Sequence, residues 1–295
     1  MKVGILGCGN MGGAMALRLA ETGAAPLCWD ASEAARGRMA EAGMTVPETA
    51  AALAGAVDVL ILSLPHAAAV QAAMTDVAGG LRRDAVVLDT STSEPGVSQG
   101  LAAQGEAAGW TFLDAPVSGG PAGARGGTMT MLLGGDEAAA ARLAPLLDRL
   151  TAKRVHVGGA GAGHAAKIAN NMLCAANLAL VAEALRLGEA AGVPAEKLLE
   201  GINAGSGRSA VSEVNFPRWV LSEAYDSGFT MGLMRKDVRL AEALGEGSGV
   251  ALPAFEGVAK VWAESAAHLP DGADFNEIAR PEQGKETARG AAPRC

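Results

Sequence analysis

The chain has 295 residues, 49% of them hydrophobic and 19% charged, which is long for one core and apolar enough to bury a large interior; two globular domains are the natural division, and general disorder is argued against. The net charge is −8 and the Lys and Arg residues are scattered, so there is no basic field for a phosphate backbone and nucleic acid is not an expected partner. Cys8, Cys28, Cys174 and Cys295 stand far apart with no CxxC spacing, which fits a reduced, cytoplasmic chain with no disulfide framework or zinc site. Met1-Lys2 leads straight into a strand-like run, so no signal peptide is read. No apolar segment free of Gly and charge reaches spanning length, so no membrane partner is expected.

In chain order, Val3 to Leu6 reads as a strand that meets Gly7-Cys8-Gly9-Asn10-Met11-Gly12, and Met15, Leu17 and Leu19 continue as a helix to a stop at Gly23. Leu27-Cys28-Trp29 is the next strand and ends in Asp30; Ser32 can cap a helix that stops at Gly43. Further buried strands are expected at 57–64, 85–88, 111–113, 130–133 and 154–157. Ala-rich amphipathic helices at 67–78 and 137–150 lie between them. Strands alternating with helices predict a mostly parallel, doubly wound α/β sheet covered on both faces.

After Gly163 the alternation stops. Helical patterns take over at 163–191, 195–202, 233–244 and 253–267, with turn chemistry at 192–194, 205–207 and 245–249. This gives a Rossmann-type domain over 1–162 and an all-α domain over 163–279, joined by the long helix, with a polar, unpatterned tail over 280–295. There is no internal repeat.

Gly7, Gly9 and Gly12 are a GxGxxG that follows a strand, opens a helix and is trailed about 20 residues later by an acidic residue at the end of the next strand, the context a dinucleotide site requires. The first Gly permits the turn, the second lets a pyrophosphate approach the backbone, and the third lets helix and strand close up, while helix-terminal N–H groups face the phosphates. Asp30 accepts from an adenosine ribose and repels a 2′-phosphate, so NAD is favoured over NADP. A second motif, Asp114-Ala115-Pro116-Val117-Ser118-Gly119-Gly120, follows a strand at the carboxyl edge of the sheet; its hydroxyl and bare N–H groups suit a small carboxylate, or the loop is a plain connection. Asp89-Thr90-Ser91-Thr92 ends another strand at that edge, where its hydroxyls can reach a nicotinamide or cap a helix.

The long helix opens with Gly161-Ala162-Gly163-His164-Ala165-Ala166-Lys167-Ile168-Ala169-Asn170-Asn171. Lys167 and Asn171 are four apart and share a face of an otherwise apolar helix, where burial without partners is costly, so a polar pocket beside them is expected; the alternative is a Lys that snorkels to solvent. Taken alone, the charges of 235–239 read as a solvated helix surface. His66, His156, His164 and His268 have no carboxylate or Cys at metal-ligand spacing, so no metal is assigned.

Together the opening glycine motif, Asp114 to Gly120, Gly161 to Asn171 and Lys236-Asp237 resemble, in that order, the motifs of the β-hydroxyacid dehydrogenase family, to which 3-hydroxyisobutyrate dehydrogenase and tartronate semialdehyde reductase belong, over residues 2 to about 278. Cys8 departs from the family's usual Leu, a change expected to alter packing more than chemistry. The resemblance implies that Lys167 is the catalytic acid/base, that Ser118, Gly119, Gly120 and Asn171 hold the substrate, and that Asn10, Met11, Leu64, Pro65, Thr92 and Lys236 contact the cofactor beside Gly7, Gly9, Gly12 and Asp30. Gly205 to Ser209 resembles a substrate-side loop. The implied reaction passes a hydride between a small 3-hydroxy acid and NAD. An amine base needs burial and a nearby cation to work near neutral pH, and Lys236 is the candidate cation.

An imine reductase on the same fold is expected to lack Lys at position 167 and to need neither the Ser-Gly-Gly loop nor Asn171. A non-catalytic nucleotide sensor gains nothing from the Lys and Asn pair. An all-α half this apolar has more nonpolar surface than a small domain covers, which predicts a homodimer or homotetramer.

Overall fold

The computed structural model describes residues 1–280, so the expected tail, apart from Arg280, lies outside the described residues. Two compact units divide the chain: Met1–Met172 with Lys236–Leu252, and Leu173–Arg235 with Pro253 onward.

The first unit begins β1 (Val3–Leu6), α1 (Asn10–Glu21), β2 (Leu27–Trp29), α2 (Glu33–Glu41), α3 (Ala50–Ala56), β3 (Val59–Leu62), α4 (Ala67–Val77), β4 (Val86–Asp89), α5 (Pro95–Ala108) and β5 (Thr111–Asp114). These five strands are parallel in the order β2-β1-β3-β4-β5. The sheet is then extended by β6 (Val117–Ser118), α6 (Gly120–Gly126), β7 (Met129–Gly134), α7 (Glu137–Arg142), α8 (Ala144–Leu147) and β8 (Thr151–Gly158). β7 is antiparallel to β5 and β6 and parallel to β8, so the sheet is parallel through β5 and mixed beyond it.

The strands read as unbroken apolar runs because both faces are covered. Successive residues point to opposite sides: Ile5, Ile61, Leu88 and Leu113 join one core with Met15 and Leu19 of α1. Leu6, Leu60, Leu62, Val87 and Phe112 join the other with Leu53, Val70, Met74 and Leu101 from α3, α4 and α5.

The expected helix over 137–150 is two helices, with Pro145 placed in the opening turn of α8, where its missing N–H costs nothing. The expected strand over 57–64 is trimmed at both ends, since Val57 closes α3 in extended backbone and the strand ends at Leu62. After Gly119 the expected connection folds instead as α6, again with a proline in its opening turn.

The long helix α9 (Ala162–Ala190) opens in the first unit and continues into the second. There α10 (Ala195–Ala204) and a π-helical stretch, Val211–Val220, precede α11 (Met231–Gly247) and α12 (Pro253–Glu264). α11 starts in the second unit and returns to the first from Lys236, so packing divides the chain differently from the change of pattern at 162–163. A helix is continuous whatever covers its sides, and a boundary read from periodicity alone need not coincide with a boundary of contacts. α11 also runs through Gly245 and Gly247, which read as turn in the sequence.

By length and composition alone α9 is long and apolar enough to cross a membrane, as core helices can be, although it contains Gly163, Lys167, Glu183 and Arg186. Leu173, Leu180 and Leu187, spaced by seven on this helix, are 57%, 55% and 74% exposed. In the second unit Trp262 is fully buried and donates from Nε1 to the Ala175 carbonyl at 3.2 Å.

Candidate active site

The turn between β1 and α1 is shaped by three glycines in three different ways. Gly7 has φ +97°, and a Cβ there would lie 2.3 Å from the Ser63 carbonyl oxygen; on Gly12 it would lie 1.8 Å from the Gly7 carbonyl oxygen. Only glycine permits these approaches. Gly9 is the opposite case. It is the N-cap of α1 with no side-chain cap, and a Cβ there would meet nothing within 4 Å. Exposed Asn10 and half-buried Met11 start the helix beside it. An uncapped helix N-terminus opening onto bare backbone is a cradle that fits a pyrophosphate.

Asp30, just past β2, accepts from the N–H of Cys8 at 2.6 Å through Oδ2 and from the N–H of Ser32 at 2.8 Å through Oδ1. It therefore orients the glycine turn and retains lone pairs for a ribose. Cys8 is buried in the core, and its contact with Cys28, together with burial, pushes its thiol up. Arg36 is six residues past Asp30, and the first turns of α2 bring its guanidinium to the Asp30 carbonyl at 2.6 Å and the Ala31 carbonyl at 3.0 Å.

Leu64, Pro65 and Thr92 come together at the carboxyl ends of β3 and β4. The Leu64 N–H donates to Ser91 Oγ at 3.0 Å, and Lys236 Nζ donates to the carbonyls of Thr92 at 2.9 Å and Pro65 at 3.4 Å. Lys236 also pairs with the buried Asp237 at 3.1 Å. Far from a solvated surface, this stretch of α11 carries a buried carboxylate. Asp237 offsets the charge of Lys236, so Lys236 is not the isolated cation expected from the sequence. In the second unit, buried Arg235 pairs with Asp271 at 2.7 Å and donates to Ser265.

Lys167 is 6% and Asn171 5% exposed, so the expectation of a buried polar face on α9 is met and the snorkelling alternative is not. Lys167 Nζ donates to Ser118 Oγ at 2.8 Å, which joins the substrate-motif residue to the long helix. The Asn171 amide donates to Asp237 and accepts from Asn170 Nδ2 at 3.1 Å. Gly119 and Gly120 follow Ser118 with φ +124° and +62°, conformations that favour glycine, and leave backbone rather than side chain beside the hydroxyl.

Three residues here had no role in the sequence reading. Asp114, buried at the end of β5, accepts from the N–H groups of Gly161 at 2.7 Å and His164 at 2.9 Å and so caps the start of α9. Asp237 orients Asn171. Asp89 is fully buried, and desolvation pushes its carboxyl above the ordinary range despite the hydrogen bond from Ser91. Asp114 and Asp89 had a signal, since each ends an apolar run within a quoted motif, where a carboxylate needs a buried partner; Asp237 stands among charges that read as surface. Gly205 to Ser209 lie in the second unit. Among the described residues, no group of three or more His, Cys, Asp or Glu could hold a metal ion.

A glycine turn on a helix N-terminus, an acidic residue closing the next strand and a buried Lys on a helix at the sheet's carboxyl edge define a nicotinamide-dinucleotide oxidoreductase. The comparisons make the assignment particular. Residues 2–159 match the NAD-binding domain of 6-phosphogluconate dehydrogenase, and residues 161–281 match the NAD-binding domain of NADP-dependent 3-hydroxyisobutyrate dehydrogenase. A 2-(hydroxymethyl)glutarate dehydrogenase of Eubacterium barkeri is 36% identical over 86% of this chain and 85% of its own length. The structure of Mycobacterium tuberculosis 3-hydroxyisobutyrate dehydrogenase with L-serine superposes with a TM-score of 0.88 at 32% identity, covering 94% of this chain and 97% of that one. An imine reductase from Myxococcus stipitatus with NADP+ shares the fold alone, at 18% identity and TM-score 0.60 over 95% of this chain and 99% of its own. The chain belongs to the β-hydroxyacid dehydrogenase family and is an oxidoreductase that uses a nicotinamide dinucleotide.

Proposed function

We propose that the protein oxidises a small 3-hydroxy acid to its semialdehyde with NAD, reversibly, and that Lys167 is the proton-transfer group. The observation that carries this reading is the 2.8 Å contact of the buried Lys167 Nζ with Ser118 Oγ, beside the bare backbone of Gly119 and Gly120. Ser118 and the two glycine N–H groups hold the carboxylate. Lys167 takes the hydroxyl proton in oxidation and returns it in reduction, and Asn171, oriented by Asp237, binds the same hydroxyl. When bound, the dinucleotide accepts or returns the hydride. Its pyrophosphate rests on Gly7, Gly9, Asn10, Met11 and Gly12, its ribose on Asp30, and its nicotinamide end beside Leu64, Pro65, Thr92 and Lys236. Residues 1–162 serve as the cofactor domain and 163–279 as the substrate and assembly domain.

The relatives' names include a substrate with one carboxylate and a substrate with two. The test is a panel of 3-hydroxyisobutyrate, L-serine, glycerate, threonate and 2-(hydroxymethyl)glutarate with NAD, read as NADH formation. Turnover of none of them, with NADH still bound, supports the sensor reading instead. A second reading, use of NADP, is favoured by Arg36 at the Asp30 backbone, so the panel is run with both cofactors.

The same reading makes the protein a cytoplasmic homo-oligomer, dimer or tetramer. Its support is the exposed Leu173, Leu180 and Leu187 stripe, together with the buried thiols of Cys8 and Cys28. A monomer by light scattering at micromolar concentration overturns the assembly.

A further inference from the structure

His164 is a wholly buried titratable side chain to which the proton transfer above gives no part. It stands in the first turn of α9, three residues before Lys167, and its backbone N–H is one of the two that Asp114 caps. The ring reaches a different element. Nε2 lies 3.1 Å from the Ser91 carbonyl oxygen, and Nδ1 lies 2.8 Å from Ser98 Oγ on α5. A carbonyl can only accept, so Nε2 carries the ring proton and Nδ1 accepts from the Ser98 hydroxyl. Asp89 Oδ2 is 3.9 Å from Nε2, beyond hydrogen-bond reach, and has no hydrogen-bond partner among the described residues.

What the ring grips matters for the site. Ser91 receives the Leu64 N–H on its hydroxyl, and the next residue, Thr92, offers its carbonyl to Lys236. The loop after β4 is therefore the point where the cofactor-side residues are tied together. Asp114 fixes the start of α9 to β5, and Lys167 and Asn171 tie the next turn to Ser118 and Asp237. The His164 ring, one turn before Lys167, adds the attachment to the loop after β4, on the cofactor side of the site.

We propose that His164 is a positioning residue: its imidazole locks α9, and with it Lys167, to the loop carrying Ser91 and Thr92, and so sets the distance between base and nicotinamide. This rests on the reading of Lys167 as the proton-transfer group. Small errors in such a distance are costly, since a misplacement of about 1 Å can lower a rate by about 10²-fold.

The experiment compares the wild type with His164→Leu, which keeps an apolar side chain but offers no hydrogen bond, and His164→Gln, whose amide offers both a donor and an acceptor. Each enzyme is titrated with NADH to count active sites. Then kcat, KM and the isotope effect with a hydroxy acid deuterated at the carbinol carbon are measured. His164→Leu is expected to bind NADH within about threefold of wild type, lose about tenfold or more in kcat per active site and show a larger isotope effect, with KM little changed. His164→Gln is expected to recover kcat to within about threefold of wild type. A Leu variant within about twofold of wild-type kcat, a Gln variant no better than Leu, or a loss wholly explained by fewer active sites overturns the proposal. Nitrogen NMR of the His164 ring decides it apart from turnover. A proton on Nε2 with Nδ1 bare supports the proposal; a proton on Nδ1 overturns it. If no hydroxy acid is turned over, the Lys167 reading fails while this ring measurement still stands.

Discussion

The glycine turn over residues 7–12 and the opening of α9 both serve the candidate site, but they are built on opposite principles. The turn works through what its residues lack: a Cβ on Gly7 or Gly12 would collide with backbone, and Gly9 leaves an open surface at a helix N-terminus. Its geometry is backbone against backbone: Gly12 closes on Gly7 within the turn, Gly7 closes on Ser63 after β3, and one strand-end acid, Asp30, holds the turn's N–H. The opening of α9 works through what its side chains reach. Asp114 comes from β5, Ser118 from β6, Ser91 from the loop after β4 and Asp237 from α11, and they meet the helix at His164, Lys167 and Asn171. A backbone cradle tolerates variation in its surroundings, whereas a set of converging side chains is only as accurate as every element that contributes to it.

The largest effect that tests this contrast is at Lys167. Lys167→Ala should lower kcat by about 10²-fold or more and leave NAD affinity nearly unchanged, because the turn that grips the cofactor is a separate structure. Lys167→Arg should fail as well, since a guanidinium does not give up its proton in the working range. An Arg variant with near-normal kcat, or an Ala variant whose loss is confined to KM, leaves Lys167 as a charge anchor only.

Next in size is a pair of substitutions within the turn. Gly12→Ala forces a Cβ to 1.8 Å from a backbone oxygen, so it should cost about 1–3 kcal/mol or more and lower the Tm by several degrees along with cofactor binding. Gly9→Ala meets no protein atom, so the Tm should stay put while dinucleotide affinity falls by about tenfold, the methyl group standing where a phosphate is to lie. Equal Tm losses in the two would show that Gly9 is needed for the fold and not for the ligand.

Cofactor choice comes third. NAD should exceed NADP by at least about tenfold in kcat/KM, about 1.4 kcal/mol, if Asp30 takes the ribose and repels a 2′-phosphate as proposed. Equal efficiency would shift weight to the guanidinium of Arg36, and Arg36→Ala should then restore the preference for NAD.

The smallest effect is a pH slope from Asp89. Its carboxyl is raised in the folded protein, so above the ordinary carboxylate range of about 4 the native state holds a proton that the unfolded chain has lost, and stability falls as pH rises toward the folded value. Asp89→Asn removes that slope. The difference in urea midpoint, variant minus wild type, should be greater at pH 7 than at pH 4; a difference independent of pH would mean that Asp89 is not raised.

Much of the molecule was legible in the residues. The first strand, turn and helix, the Ser32 cap of α2, the strand ending at Asp30 and the long helix from 162 all follow from local chemistry: apolar runs, a hydroxyl before a helix, glycine where backbone must pass backbone. The paired burial of Lys167 and Asn171 was legible too, because two polar residues four apart on an apolar helix need a pocket. Less visible were α3 and α5, whose Ala- and Gly-rich sequences carry little amphipathic contrast, and the interruption near Leu143 within the expected helix over 137–150.

By itself, then, the sequence determined the strands and their alternation with helices, the dinucleotide turn, the buried face of the long helix and the family. These depend on interactions within one element or between neighbours in the chain, where spacing and geometry are nearly the same thing. Tertiary structure alone decided that Lys236 is matched by Asp237, that Asp114 caps α9, that Arg36 sits on the Asp30 backbone, and that His164 bridges Ser91 and Ser98. Apart from the adjacent Lys236 and Asp237, where burial decides whether the pair is a solvated surface or an internal one, each of these joins residues on different elements. Whether a buried polar group finds its partner depends on how those elements pack, which no local spacing encodes.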